Sequence, residues 1–216
     1  VDGTEWSFRS DLIREVAYAR LTKQQRLGRH LGIAQYMDRR LGGREADDGT
    51  VDTIARHYVV AARLDRDLGR GPEHRKVVDQ AVRWALEAAR RAETDAAWVL
   101  ARRLYTQALD LLGDDADAAA GAERFRCLVG RSRVRAEAWD EVGARRDAAE
   151  ALALADELAD PIMRAHALLR LGTAAARSGD FSGADAELNE AIEIFDGVGD
   201  SRGRAEALRQ RGLAEL

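Results

Sequence analysis

The amino-acid sequence repeats a pattern of small and apolar residues at intervals of about 40 positions, and this periodicity restricts the possible folds most strongly. The pattern is clearest in residues 165–196, where Gly172 is followed by Gly179-Asp180 and then by Ala184 and Ala191. A small residue at the Gly172 position recurs at spacings of 41, 42 and 40 residues, along the series Ala89, Gly130, Gly172 and Gly212. A repeat of this length is typical of arrays in which pairs of helices stack on one another.

The residue types of the pattern are those that a pair of packed helices requires at these positions. Gly179 can adopt the left-handed conformation that ends a first helix, and the Asp180 carboxylate can cap the second. Ala184 and Ala191 are seven residues apart and therefore share one face of the second helix, where small side chains let the first helix approach. Two earlier second helices repeat this arrangement, with the alanine pairs Ala101 and Ala108, and Ala144 and Ala151.

The order of residues in 165–196 resembles the tetratricopeptide (TPR) helix–turn–helix pattern. The resemblance implies an all-α fold, a TPR-like right-handed α-α superhelix of stacked antiparallel helix pairs. We assign residues 81–216 to this array, with repeats at about 82–115, 123–158 and 165–196 and a truncated repeat at 205–216. Because the truncated repeat has one helix of its pair, we expect Ala207, Leu208 and Leu213 to be partly uncovered and to favour self-association.

The sequence before the repeats divides into two parts. Residues 22–80 predict a helical linker region, in which Thr22 and Gln25 form a capping box and Thr50 caps a later helix. Residues 1–21 form a junction segment.

The junction segment carries a second resemblance, in the stretch FRSDLIREVAY that runs from Phe8 to Tyr18. It resembles the F-R-H-x-L-I-R-E-V-A-Y segment of STAND-type signal-transduction ATPases, with Ser10 where many relatives have His. In that family the segment follows the nucleotide-binding domain and leads into a TPR arm. Similar arms belong to actinobacterial class III adenylate or guanylate cyclases and to LuxR-type regulators.

This second resemblance implies that the chain is an arm of a larger protein. Four side chains are then expected to dock on an upstream domain of the same chain, namely Phe8, Leu12, Val16 and Tyr18. For Leu12 and Val16 the alternative is an ordinary place in a helix core.

No sequence motif indicates catalysis, a cofactor or a metal. A G-x-x-x-x-G-K-[ST] phosphate loop is absent, which excludes nucleotide binding of the Walker type by these residues. The four histidines are far apart in sequence, so we expect no zinc site at His30, His57, His74 or His166. The net charge of −4 argues against general affinity for nucleic acids or anionic membranes. Arginine pairs such as Arg145-Arg146 are interpreted as solvated helix faces.

The single cysteine, Cys127, favours a reduced, cytoplasmic environment, and the sequence has neither a membrane-spanning apolar run nor a secretory signal. The sequence therefore predicts a non-enzymatic scaffold that binds a protein, peptide or small inducer in the groove of its repeats and regulates an attached output domain. The alternatives are an arm of a LuxR-type transcriptional regulator and a purely structural oligomerisation module.

Overall fold

A computed structural model describes residues 10–41, 47–69, 73–113 and 118–214, and within these ranges the chain forms ten α-helices and no β-strand. The helices are α1 (Asp11–Ala19), α2 (Lys23–Leu41), α3 (Asp48–Asp67), α4 (His74–Thr94), α5 (Trp98–Leu112), α6 (Ala118–Glu137), α7 (Glu141–Glu157), α8 (Pro161–Arg177), α9 (Phe181–Val198) and α10 (Ser201–Ala214). The predicted all-α fold of helices packed in consecutive pairs is confirmed. Contacts divide the chain into an N-terminal unit, Val1–Trp84, and a C-terminal unit, Ala85–Leu216.

The N-terminal unit is built around the packing of α2 against α3. Its α3 residues Ile54, Ala55 and Tyr58 are buried. The predicted capping box is present before α2, where the Thr22 N–H donates to Gln25 Oε1 at 3.0 Å and the Gln25 N–H donates to Thr22 Oγ1 at 3.2 Å. The prediction that Thr50 caps the next helix is wrong. Asp47 is the N-cap of α3, and its carboxylate accepts from the Thr50 N–H at 2.8 Å.

In the C-terminal unit, each helix from α5 to α10 packs against the next, and α6 also contacts α8, which in turn contacts α10. Contacts between helices two apart are those expected when the first helices of successive pairs lie side by side. The interior contains large apolar side chains that are fully buried, among them Leu128, Leu169, Leu188 and Phe195.

The turns between the two helices of each pair share one backbone geometry, and the spacing of these turns gives the repeat length. Ala96, Trp139 and Gly179 are 43 and 40 residues apart and have positive φ angles of 54°, 61° and 83°. After each of them, the next N–H closes back on a carbonyl of the finished helix, as the Asp180 N–H does on Ala175 O at 2.9 Å. This left-handed closure is the usual way to end a helix.

The repeat register of α6 differs from the one predicted. A Cβ on Gly172 would lie 2.6 Å from Leu188 Cγ on the following helix, whereas a Cβ on Gly130 would lie 2.3 Å from Tyr105 Cζ on the preceding helix. Gly130 therefore does not share the environment of Gly172. At the corresponding position of α6, Ser132 faces the following helix, and its hydroxyl donates to Ala144 O at 2.8 Å. Ser132 lies 40 residues before Gly172, which agrees with the spacing of the turns.

The other predicted packing residues fall into two groups. Seven alanines are fully buried, namely Ala89, Ala101, Ala108, Ala144, Ala151, Ala184 and Ala191. Gly212 on α10 is exposed, and a Cβ there would meet no atom within 4 Å. On the same helix Leu208 and Leu213 are 36% and 56% exposed, whereas Ala207, which was expected to be uncovered, is fully buried.

Candidate binding cavity

A cavity of about 670 Å³ lies in the C-terminal unit and is lined by α6, α8 and α10. We call it the arginine cavity, because four arginines line it: Arg133, Arg170, Arg202 and Arg209. Its acidic lining residues are Asp200 and Glu206, and its other lining includes His166 and Leu169. Because α6, α8 and α10 pack side by side, side chains more than 30 residues apart in sequence converge there.

The N-terminus of α10 is held by Asp200, whose Oδ1 accepts from the Arg202 and Gly203 N–H groups at 3.1 and 2.9 Å. Gly203 is required there, since a Cβ on it would lie 2.5 Å from a ring carbon of Phe195. This local packing places Arg202 and Glu206 in the lining of the cavity. His166 packs edge-on against Phe195 at a centroid distance of 4.9 Å, and its Nε2 lies 3.8 Å from Asp200 Oδ2. Burial lowers the pKa of His166 more than Asp200 raises it.

Arg170 is the most enclosed charge of the cavity, with 11% of its side chain exposed. Its Nη2 lies 3.6 Å from Glu206 Oε1, which is longer than a direct hydrogen bond. Burial lowers the pKa of Arg170, and the charge of Arg133 acts in the same direction. Glu206 is shared with Arg209, whose Nη2 donates to Glu206 Oε1 at 3.1 Å. Burial raises the pKa of Glu206, but the hydrogen bonds from Arg209 and Gln210 and the charges of Arg209 and Arg170 together lower it overall.

A second cavity, of about 440 Å³, lies in the N-terminal unit and has mainly apolar walls formed by Ala17, Leu21 and Ile33. Its polar side is a chain of rings in which His30 Nδ1 lies 2.7 Å from His57 Nδ1 and His30 Nε2 lies 2.9 Å from the Tyr18 hydroxyl. These two histidines, which the sequence separates by 27 positions, are therefore in direct contact.

Three of the residues predicted to dock on an upstream domain belong to α1. Leu12, Val16 and Tyr18 are 68%, 49% and 38% exposed, so the alternative of a core position does not describe Leu12 or Val16. Tyr18 makes the contacts that hold the end of α1, since Arg26 lies over its ring at 4.7 Å. Phe8 lies outside the described residues.

The single cysteine is enclosed, and its thiol is not activated. Cys127 is fully buried, and burial raises the pKa of its thiol to about 12, so it carries no thiolate at neutral pH. Within the described ranges, no group of three or more His, Cys, Asp or Glu side chains is placed to hold a metal ion. None of the described helices is both long and apolar enough to cross a membrane.

Sequence reasoning missed the arginine cavity, although a signal was present. Arg133, Arg170 and Arg209 follow one another at spacings of 37 and 39 residues, close to the repeat length, and each lies on the first helix of a pair. They do not fall at equivalent repeat positions, so the sequence indicates an arginine on each first helix but not their convergence.

The fold is similar to that of a known helical-repeat protein. The crystal structure of the apo form of RapI, a TPR-like helical-repeat protein, matches this chain with a TM-score of 0.61 and 14% sequence identity. The match covers 95% of this chain and 52% of RapI, so the chain spans about half of the length of that protein. No family model and no curated protein matches the sequence. The similarity to RapI establishes the helical-repeat fold.

Proposed function

We propose that this chain is a non-catalytic interaction and regulatory scaffold, the C-terminal TPR-like arm of a larger cytoplasmic signalling protein that carries a nucleotide cyclase or an ATPase-linked output domain. In the proposal, the repeats bind a protein, peptide or inducer, and occupancy is transmitted to the upstream domain through the junction segment. The observation that carries it is the arginine cavity, a recess of about 670 Å³ on the first helices of stacked pairs, where TPR-like arrays offer a binding surface.

The exposed apolar face of α1 supports the second half of the proposal. Leu12, Ile13 and Val16 are each about half or more exposed, and one short helix rarely presents three such side chains to water without a partner. We infer that they dock on the domain that precedes them in the parent protein. The division into a junction at 1–21, a linker region at 22–80 and repeats at 81–216 is part of the same proposal.

The test compares the full-length parent with a form that lacks residues 82–216, with the activity of the output domain as the readout. We expect the deletion to change basal activity or to abolish its regulation. A second form, Leu12→Ser with Val16→Ser, should change the output while the repeats stay intact. The matched control is Val99→Ser with Val142→Ser, because these valines are 74% and 84% exposed in the C-terminal unit. If neither test form differs from the parent, the chain is not a regulatory arm.

One observation favours a second candidate function, a structural oligomerisation module. Leu208 and Leu213 are exposed on α10, the last described helix of the stack. If they mediate self-association, Leu208→Glu with Leu213→Glu should convert a concentration-dependent dimer into a monomer in sedimentation experiments. A monomer at all concentrations in the unsubstituted protein would exclude this candidate.

A further inference from the structure

The arginine cavity carries more positive than negative charge, in a chain whose net charge is −4. Four arginines and two carboxylates line it, and a third carboxylate, Glu93 of α4, pairs with Arg133 from outside the lining. Subtracting these three carboxylates from the four arginines leaves one positive charge without a counterion. His166 adds little charge at neutral pH, because burial lowers its pKa.

The carboxylates of the lining are already occupied. Asp200 accepts two main-chain N–H groups at the start of α10, and Glu206 accepts from Arg209 at 3.1 Å and from Gln210 at 3.5 Å. Asp200 therefore cannot move onto Arg170 without breaking a contact of α10, and Glu206 is shared between Arg170, Arg209 and Gln210.

Arg170 is an enclosed guanidinium whose carboxylate partner, Glu206, lies at long range and is shared with Arg209. Its side chain is 11% exposed, and among the described residues the carboxylate within 4 Å of it is Glu206, at 3.6 Å. A guanidinium has five N–H donors and is paired best by a carboxylate in the bidentate geometry. Removing such a charge from water is costly unless it is paired at close range. The site is thus arranged to accept an anionic group from a ligand.

The dimensions of the cavity favour a chain with several carboxylates over a single small anion. Arg133, Arg170 and Arg209 come from three helices packed side by side, and neighbouring helices stand about 8–10 Å apart. In an extended peptide, side chains two residues apart are separated by about 7 Å and point to the same side. A nucleic acid is disfavoured, because the chain carries a net charge of −4 and a phosphate backbone binds an extended positive surface.

We propose that the arginine cavity binds an acidic peptide, with one peptide carboxylate paired to Arg170 and a neighbouring one to Arg202 or Arg209. This inference rests on the proposed function and specifies the partner of the same repeats. The bound peptide supplies a carboxylate to Arg170 at hydrogen-bond distance, and one ligand then contacts α6, α8 and α10.

The probe is a fluorescein-labelled hexapeptide Glu-Ala-Glu-Ala-Glu-Ala, titrated with the full chain and followed by fluorescence anisotropy. We expect it to bind at least tenfold more tightly than the Gln-Ala-Gln-Ala-Gln-Ala peptide, with affinity that falls as salt is raised. Arg170→Met should weaken binding at least tenfold. The control Arg146→Met removes the same charge from an exposed position on α7 outside the cavity, and should leave binding within twofold.

Glu206→Gln provides a test in the opposite direction, should Arg170→Met fail to fold. It removes the carboxylate that competes for Arg170, so the acidic peptide should bind severalfold more tightly.

Equal binding of the two peptides, or equal effects of Arg170→Met and Arg146→Met, would overturn the proposal. So would displacement of the peptide by equimolar inorganic phosphate or by a DNA duplex. If the acidic peptide binds but deletion of residues 82–216 leaves the output of the parent unchanged, the regulatory function is rejected and the cavity assignment stands. If the deletion changes the output but the peptide does not bind, only the acidic peptide as ligand is rejected.

Discussion

Gly172 and Leu188 lie so close that a single added methyl group at Gly172 would meet the Leu188 Cγ at 2.6 Å. The same methyl group would be 3.2 Å from the Ala184 carbonyl oxygen, which belongs to helix backbone and cannot move aside. The glycine therefore sets the distance between α8 and α9.

Gly172→Ala should destabilise the C-terminal unit by about 1–3 kcal/mol, because the helices must separate or Leu188 must leave its preferred rotamer. The measurement is urea denaturation followed by circular dichroism. The control is Gly197→Ala in α9, where a Cβ meets no atom within 4 Å and the gain in helix propensity should stabilise by about 0.5–1 kcal/mol. The two variants should change stability in opposite directions, and a neutral Gly172→Ala would contradict the close contact between α8 and α9.

Asp147 is the centre of a buried ion cluster between α6 and α7. Its side chain is 1% exposed and accepts both Arg131 Nε and Nη2 at 2.8 Å, and Arg135 Nη1 lies 3.0 Å away. Asp147→Asn keeps the shape, removes the counterion of Arg131 and leaves Arg135 with its longer contact to Asp140 at 3.5 Å, so we expect a loss of about 3–5 kcal/mol in the free energy of unfolding. Asp185→Asn, at an exposed position on α9, is the control and should change it by less than about 0.5 kcal/mol. Similar values for the two variants would contradict a structural role for the cluster.

The turn between α7 and α8 contains a non-glycine residue in the left-handed region, Ala159, with a φ of 51°. The equivalent position 40 residues later is Gly199, with a φ of 76°. Ala159→Gly should therefore raise stability by about 1 kcal/mol, because glycine adopts this conformation without the clash of a Cβ. Ala153→Gly, at an exposed helical position of α7, should instead cost about 1 kcal/mol. Thermal denaturation of both variants distinguishes the turn effect from a general effect of glycine.

Contact between His57 and His30 makes the stability of the N-terminal unit depend on pH. Burial, followed by the charges of His30 and Arg56, lowers the pKa of His57 from 6.5 to about 4. Because the folded state binds the proton less readily than the unfolded state, the stabilising contribution is complete above pH 6.5 and is lost as the pH falls toward 4.

The melting temperature should consequently decrease between pH 6.5 and pH 4, and His57→Gln should reduce that decrease. Nuclear magnetic resonance of the imidazole protons measures the pKa of His57 directly. A value near 6.5 in the folded protein would refute the contact as described.

The sequence by itself determined the features that depend on neighbouring residues. The αL turn at Gly179, the cap by Asp180 and the capping box at Thr22 and Gln25 were predictable, because each involves groups within a few positions of one another. The all-α class followed from the same local signals summed over a repeating pattern. The prediction that Thr50 caps α3 failed. Asp47 and Thr50 lie three positions apart and are both favourable N-cap residues, so the local sequence does not decide between them.

Tertiary structure alone decided which helix each small residue faces and which distant side chains meet. Gly130 and Ser132 are two positions apart on α6, and a helix turns by about 200° over that distance, so one faces Tyr105 and the other faces Ala144. The contact of His30 with His57 and the convergence of arginines from α6, α8 and α10 depend on helix pairing across tens of residues. Local propensities cannot specify such contacts, because the energy that selects them comes from burying whole helix faces against each other.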